Sequence, residues 1–432
     1  MWCIHMQIEI EKRGIPAVSI ITNPFIRDAK ASADMFGYPG VRRIVIPHPV
    51  AEAAQKDTPA KIEAVYDDII KALTVPLTEE ESRTGVQKAI PRERIACRGT
   101  LEQVNRFFIE KGMSDGLPII PPTEERVERM LAGTSHSPDE VLGRMDPEQW
   151  EVTVEKVAVN AVMAGCLPEY MPVLLALAEA LIDPVTETGT FVRSTSSFAF
   201  WSVVNGPVAK EIGMNAKNNA LGPGNQANAT IGRAIRLFLI NLGGTEPGIN
   251  DMSTVGNALK YGFSFAENED ESPWEPYHVT HGFKKEESTV TVFKSWGFRP
   301  TAMIPGEWAS LANIAWNAKM TRGGMVIIMD PLLAKQLAGQ GITKRDIQEY
   351  LYLSLQMSVR EWKESTQSLN AFVGSGVPAW YKELADDVML PSLTGLDDVQ
   401  VIVAGGQNNP YYQLFDSVLP AKGTIVSVDK WR

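Results

Sequence analysis

The sequence predicts an α/β protein of two units. A small parallel-sheet domain occupies residues 1–75, a larger α/β (α+β) domain occupies residues 101–432, and a linker at 76–100 joins them. Three observations predict this. In the first 75 residues short β-branched runs alternate with helical periodicity, the pattern of a parallel sheet covered by helices. A charged stretch carrying Pro76 and Pro91 then interrupts the pattern. Beyond it, apolar runs such as 323–330 and 399–404 recur among helical segments.

The elements follow in order. Ile4, Ile8 and Ile10 set a helical register that Gly14 stops, as a left-handed glycine does. Residues 15–22 read as a buried strand, 26–36 as a helix lined with Ala29, Ala31 and Ala33, 43–47 as a second strand, and 61–74 as an amphipathic helix. In the larger block a helix at 100–111 precedes a strand-like run at 115–123. Thr123 is placed to cap a helix at 124–131. Helices are expected at 171–182 and 225–240, an alternating strand at 287–293, and a helix from Thr343 to about Trp362. The strand at 399–404 is expected to turn at Gly405-Gly406 into a helix, an arrangement that could seat an anion.

Composition narrows the function. The chain has 432 residues, 41 Lys plus Arg against 52 Asp plus Glu, and a formal charge of −11. Such an acidic chain without a basic patch is a poor partner for nucleic acid or anionic membranes. Three cysteines rule out a disulfide framework and fit a reducing cytoplasm. The start does not read as a signal peptide, and 171–182, the most apolar helical stretch, is too short to span a bilayer and contains Glu179. Neither a nicotinamide nor a P-loop fingerprint is present.

Two groups of residues carry chemical promise. In open parallel sheets ligands bind beyond the carboxyl ends of the strands. The first unit puts Thr22, Asn23 and Phe25 at one such end and His48, held between Pro47 and Pro49, at the other. His48 could equally be an ordinary loop histidine. Cys3, near a helix start and two residues from His5, is a candidate thiolate nucleophile, although a terminal cysteine is often only a small hydrophobe. Cys97 falls in the linker and Cys166 in an apolar helix. The second group lies between Asn205 and Val292. Asn225, Asn228 and Arg233 sit on one helix whose polar start and small residues suit an anionic ligand; the asparagines could instead be caps and turn residues. Further on, Glu267, Glu269, Trp274, His278 and His281 crowd together. Clustered carboxylates raise a pKa towards the range useful for acid–base catalysis. Glu267, Glu269, His278 and His281 could alternatively bind a divalent metal, or the segment could be a solvated acidic loop. Pro273 and Pro276 favour an extended run that would point the two histidines apart. Trp296, Trp308 and Trp316 read as core or pocket walls.

The stretch from Glu9 to Thr74, with Glu-Lys-Arg-Gly-Ile-Pro-Ala-Val and Arg-Arg-Ile-Val-Ile-Pro-His-Pro, resembles the UGSC-type (seleno)protein family. It is more distantly similar to the selenoprotein component of glycine, sarcosine and betaine reductases. The family's Cys/Sec-Gly-Ser-Cys signature would precede the Trp-x-x-His element, here Trp2 and His5; this chain lacks it, and Cys3 stands nearby. The resemblance implies thiol or selenol chemistry, with the nucleophile either Cys3 or a residue encoded upstream of Met1. The second block resembles the large domain joined to or encoded with UGSC-type proteins, through Asp115-Gly-Leu-Pro, Asn228-Ala-Thr-Ile-Gly-Arg-Ala, Gly243-Gly and Ser272-Pro-Trp-Glu-Pro-Tyr-His.

The resulting expectation is a cytoplasmic oxidoreductase acting reductively on a small polar or carboxylate substrate at a site shared by the two units. Cys3, His5, His48, Glu267, Glu269 and His278 would be catalytic, and Asn23, Asn225, Asn228, Arg233 and Trp274 would hold substrate. A redox protein partner and a homo-oligomer are compatible with this. The alternatives are a metal-dependent lyase or hydrolase built on Glu267, Glu269 and His278, and a non-catalytic substrate-binding subunit of a redox complex.

Overall fold

A computed structural model describes residues 2–50, 57–85, 94–300, 310–319, 323–361, 363, 380, 383–418 and 420–432. Trp308 and Trp362 lie outside the described residues. The small unit runs α1 (Trp2–Glu11), β1 (Ser19–Thr22), α2 (Ile26–Met35), β2 (Arg43–Ile46), α3 (Thr58–Glu63) and α4 (Tyr66–Thr74). β1 and β2 pair in parallel, from Ser19 opposite Arg43 to Thr22 opposite Ile46. The first strand is shorter than predicted, since Pro16 has no N–H to donate to a ladder. The helix predicted over 61–74 is two helices, because Val65 leaves helical geometry at φ −119°, ψ 9°. Ile4 and Ile8 of α1 pack with Ile21, Ala29, Ala33 and Val41 as one core. Arg42 then gathers the following segment. Its guanidinium donates to both carboxylate oxygens of Glu81, at 2.9 and 2.8 Å, and to the carbonyls of Ala72, Val75 and Pro76. The start of the predicted linker is therefore folded onto the small unit.

The larger unit begins with α5 (Leu101–Glu110), α6 (Glu124–Leu131), β3 (Val141–Met145), β4 (Trp150–Thr153), α7 (Val154–Ala164), α8 (Met171–Ile182) and α9 (Thr188–Val192). It continues with β5 (Ala199–Asn205), α10 (Pro207–Glu211), α11 (Gln226–Asn241), β6 (Ser264–Ala266), α12 (Tyr277–Thr280), β7 (Thr289–Ser295) and β8 (Gly297–Pro300). Last come α13 (Leu311–Ala318), β9 (Met325–Met329), α14 (Pro331–Gly339), α15 (Lys344–Ser354), β10 (Gln356–Ser358), β11 (Met389–Pro391), β12 (Val399–Val403), β13 (Tyr412–Asp416) and β14 (Thr424–Ser427).

Two mixed four-stranded sheets organise this unit, in the orders β14-β7-β5-β6 and β12-β9-β13-β8. β5 and β6 are parallel, as are β9 and β12. Alternation along the strands sorts their side chains into layers. Phe200, Val204, Val290 and Val292 pack outward on α7, α8 and α11. Trp201, Val203, Phe265 and Phe293 point the other way and meet Val326, Ile328, Ile402 and Phe415 of the second sheet. Met325, Ile327, Val399 and Val401 face α13, α14 and α15. The order of layers is thus helix, sheet, sheet, helix, the α/β class that the sequence predicts.

Several local expectations change. Residues 115–123 form no strand: Asp115 and Ser114 organise a turn by accepting from the N–H groups of Leu117 and Gly116. Thr123 precedes α6 but its hydroxyl makes no capping bond, whereas Thr100 and Thr343 head complete capping boxes. α15 ends at Ser354, and β10 follows. The Gly405-Gly406 turn leads into β13 and not a helix, so the expected anion seat is not formed.

The two units meet where α2 approaches Arg193. The Arg193 Nη2 donates to the Pro147 carbonyl and lies 3.0 Å from Met35 Sδ. Asp28 is buried here at 2% exposure, and its Oδ1 has no hydrogen-bond partner. Burial pushes its carboxyl up to about 7, against the opposing charge of Arg193 and with the help of Glu148. The unfolded value is about 3.9. Between these two values the native state retains a proton that the unfolded chain has lost. Stability therefore falls as pH rises from about 4 to 7 and levels off above that. Asp28→Asn keeps the uncharged form at every pH. It is expected to be more stable than the parent by about 1–3 kcal/mol at pH 8, with no gain at pH 4, as read by urea unfolding at the two pH values.

Candidate functional site

At the carboxyl ends of β1 and β2 the chain brings Thr22, Asn23, Phe25 and His48 together. Asn23 opens a turn of 3-10 helix with Pro24 behind it, and its Oδ1 accepts the His48 backbone N–H at 3.0 Å. Thr22 Oγ1 lies 3.1 Å from His48 Nδ1, and the Phe25 ring tilts against the imidazole with centroids 6.3 Å apart. His48 remains exposed. Its Nδ1 is thus held by a hydroxyl on an exposed side chain, an arrangement suited to proton exchange with a bound molecule. Three hydrogen bonds fix the direction of α1. The Cys3 carbonyl accepts from Ser19 Oγ at 3.1 Å, and Gln7 Nε2 donates to the Ala17 and Arg42 carbonyls at 3.0 Å each. Residue 3 lies further along β1 than residue 7, so α1 runs antiparallel to the strand. Its first turn carries the exposed Cys3, level with Ser19 at the start of β1. His5 stacks on Phe36 at 4.5 Å, a packing role.

The second group forms at the carboxyl ends of β5 and β6. Asn205 ends β5, and its Nδ2 donates to Glu267 Oε2 at 2.7 Å and to Glu269 Oε1 at 2.9 Å, so one amide nitrogen joins both carboxylates. Glu267 also accepts from the Tyr277 N–H at 2.7 Å and pairs with Lys344 Nζ at 3.2 Å. Glu269 Oε1 accepts the Gly206 N–H at 2.7 Å and lies 3.8 Å from His278 Nδ1. Gly206 has φ 81°, and a Cβ there would stand 2.2 Å from the Glu287 carbonyl oxygen, so only glycine brings this N–H to the carboxylate. His278 is fully buried, and neither ring nitrogen has a hydrogen-bond partner. An unpartnered buried polar atom costs about 1–3 kcal/mol, which marks the position as a place of unmet hydrogen-bonding capacity. α12 is a helix of four residues, not the extended run that the prolines favoured, yet the two histidines still part. His281 stacks on Tyr277 at 4.0 Å with its Nδ1 2.7 Å from the Tyr277 carbonyl, and burial holds its imidazole below the ordinary value. Among the described residues no group of three or more His, Cys, Asp or Glu side chains is arranged to hold a metal ion.

The remaining candidates are committed to the scaffold. Asn225 caps α11 by accepting the Asn228 N–H. Asn228 is 3% exposed and spends its amide on the backbone of Asn215 and Ala220, fastening the loop before its own helix. Trp274 donates to the Ile342 carbonyl and packs against the core beneath the second sheet. Cys166 is buried, which pushes its thiol up to about 12 and leaves it unreactive. Arg233 makes a two-pronged pair with Asp115, Nε to Oδ2 at 2.8 Å and Nη2 to Oδ1 at 2.9 Å, and also donates to the Leu117 and Pro118 carbonyls. The expectation that these three polar side chains receive a substrate anion gives way to hydrogen bonds already made within the chain.

Nor do contacts join the two groups. The hydrogen-bond partners of His48 lie at residues 22 and 23, and those of Glu267, Glu269 and His278 lie between Asn205 and Lys344. Among the described residues no hydrogen bond joins His48 to His278, and each group is built within its own unit. Asn205 and Gly206 open the stretch that the sequence singled out but were not among its candidate site residues, and Lys344 lies outside that stretch; all three belong to the second group. The Asn-Gly-Pro run after an apolar strand is a readable signal for the first two. Lys344 carries none, being 77 positions from Glu267.

The Asp115–Arg233 pair supplies a test. Burial alone would raise the Asp115 carboxyl, but the guanidinium's hydrogen bonds and charge outweigh it and hold the pKa below the ordinary value. That stabilisation is present above the unfolded value of about 3.9 and is lost as pH falls through the lower folded value. Arg233→Ala leaves a buried carboxylate unpaired. It is expected to cost about 3–5 kcal/mol at neutral pH and to flatten the acid limb of the stability profile, both read by denaturant unfolding across pH.

No curated protein and no solved structure matches the chain. Its beginning does match a family: residues 1–75 fit the model of the UGSC family, and the small unit is a UGSC-type domain.

Proposed function

We propose that the chain is a thiol- or selenol-type oxidoreductase acting reductively on a small polar or carboxylate substrate, with the reaction centred on the UGSC-type domain. The observation that carries this reading is the grouping of Thr22, Asn23 and an exposed His48 at the carboxyl ends of β1 and β2, in the unit that also carries the exposed Cys3. The nucleophile would be the sulfur of Cys3. His48 would exchange the proton through Nε2, its ring fixed by Thr22. Asn23 spends its Oδ1 on the His48 backbone and offers its Nδ2 to a substrate carboxylate. Reductive cleavage consumes two electrons, which a dithiol or a redox protein partner would supply. Three cysteines, none of them in a disulfide, suit the reducing cytoplasm where such chemistry runs. No helix among the described residues is long and apolar enough to cross a membrane.

The test is dithiothreitol-driven reduction of a panel of small carboxylates by the full chain. His48→Ala is expected to lower turnover by about 10²–10⁴-fold, and iodoacetamide to abolish it. Turnover that survives both treatments would overturn the reading.

A further inference from the structure

We propose that the small unit pairs with a second copy of the chain through α4, the two helices lying antiparallel about a two-fold axis. The inference does not depend on the thiol chemistry at the strand ends. It begins from a helix that has the pattern of a packed element without the packing. Tyr66, Ile69, Ile70 and Leu73 recur at spacings of three and four, which gathers them on an arc of about 100°. Yet no side chain of α4 is buried, and none belongs to an apolar core among the described residues. Ile69 and Leu73 are half-buried, while Tyr66 and Ile70 are 53% and 41% exposed. The helix is nonetheless fixed in place, because Arg42 holds the carbonyls of Ala72 and Val75 at its end. A segment too short to stay helical alone in water is thus presented already formed, with its apolar stripe half uncovered.

Charge selects the partner. Residues 1–75 carry nine basic and nine acidic side chains, so the formal charge of −11 lies entirely in residues 76–432. Two copies repel through their larger units and can approach through the small ones. The flank of the stripe is also matched to itself. Asp67 follows Tyr66 and Lys71 follows Ile70, so the two opposite charges line one flank, a turn apart. When two such helices cross antiparallel with residue 69 at the axis, Asp67 stands opposite the partner's Lys71, and Lys71 opposite the partner's Asp67. Asp67 makes no ion pair among the described residues, and Lys71 makes only a loose one, 3.7 Å from Asp68 on its own helix. A second copy supplies both counter-charges by symmetry. These rim pairs set the orientation, and the affinity comes from Tyr66 and Ile70 between them.

One helix face buries less than the about 800 Å² per partner of a standard interface, so the dimer is weak, with a Kd on the order of 10 µM. Sedimentation velocity of the full chain at low ionic strength, from about 1 to 200 µM, is expected to show monomer giving way to dimer across that range. Ile70→Glu is expected to raise Kd about tenfold or more, and Val255→Glu, at a 93% exposed residue of the larger unit, to leave it unchanged. Asp67→Lys and Lys71→Glu each set like charges across the axis, and each alone is expected to weaken the dimer severalfold. Mixed in equal amounts, the two variants complement each other and are expected to recover the wild-type Kd. All four substituted side chains are exposed in the single chain, so the variants keep the fold, which circular dichroism checks. A wild-type chain that stays monomeric throughout, a dimer indifferent to Ile70→Glu or equally weakened by Val255→Glu, or a mixture no tighter than either charge variant alone would each overturn the proposal.

Discussion

The larger unit depends on one constraint: its two sheets lie face to face and each is covered by helices, so every central strand is buried on both sides. Dry layers of this kind tolerate polar side chains only where they find partners. The seam obeys this along most of its length, where Trp201 stacks among Phe263, Phe265 and Phe293 and gives its indole N–H to Ser295. At the carboxyl ends of β5 and β6 the rule changes. Asn205, Glu267, Glu269 and His278 enter the same dry space, and they are tolerated because an amide, two backbone N–H groups and a lysine are aimed at the carboxylates. Placing function at strand ends thus follows from layer chemistry, since elsewhere in the seam a charge has no answer.

The small unit solves a different problem. Two short strands and their helices bury little apolar surface, and small domains of this kind need additional ties. Arg42 provides one, reaching from the edge of β2 to carbonyls at the end of α4 and to Glu81 beyond it. The sheet is thereby held from the side of β2, and His48 at its carboxyl end is exposed. The two units then touch through Arg193 and Met35, on the flank of α2.

Much of this was legible in the sequence because periodicity reports burial directly. The alternation of the first 75 residues gave a parallel pair, and the position of His48 after a β-branched run placed it at a strand end. Glu267, Glu269 and His278 were found as a group because they are close in the chain. What sequence could not convey was the destination of long polar side chains. Asn228 and Arg233 look like ligand contacts on a helical wheel, yet each meets a backbone loop or an aspartate that is distant in sequence, Asp115 being 118 positions away. Lys344 escaped notice for the same reason. The strand expected at 115–123 failed on local grounds, since Asp115 bonds to its own neighbouring backbone and favours a turn over a ladder.

Asn268 ties the two sheets at the very edge where the acidic group lies. Its backbone N–H reaches the Val403 carbonyl at 2.7 Å, and its side chain reaches that of Gly405. At the opposite rim β7 runs directly into β8, the Trp296 N–H donates to the Asp416 carbonyl at 3.0 Å and Ser417 Oγ donates to the Lys294 carbonyl at 2.7 Å, so the sheets are tied at both ends of the seam. The stretch that follows Asn268, residues 269–276, closes this rim and carries Asp270 and Glu275 into solvent, so the acidic side chains that the dry seam cannot hold are spent on its outer turn.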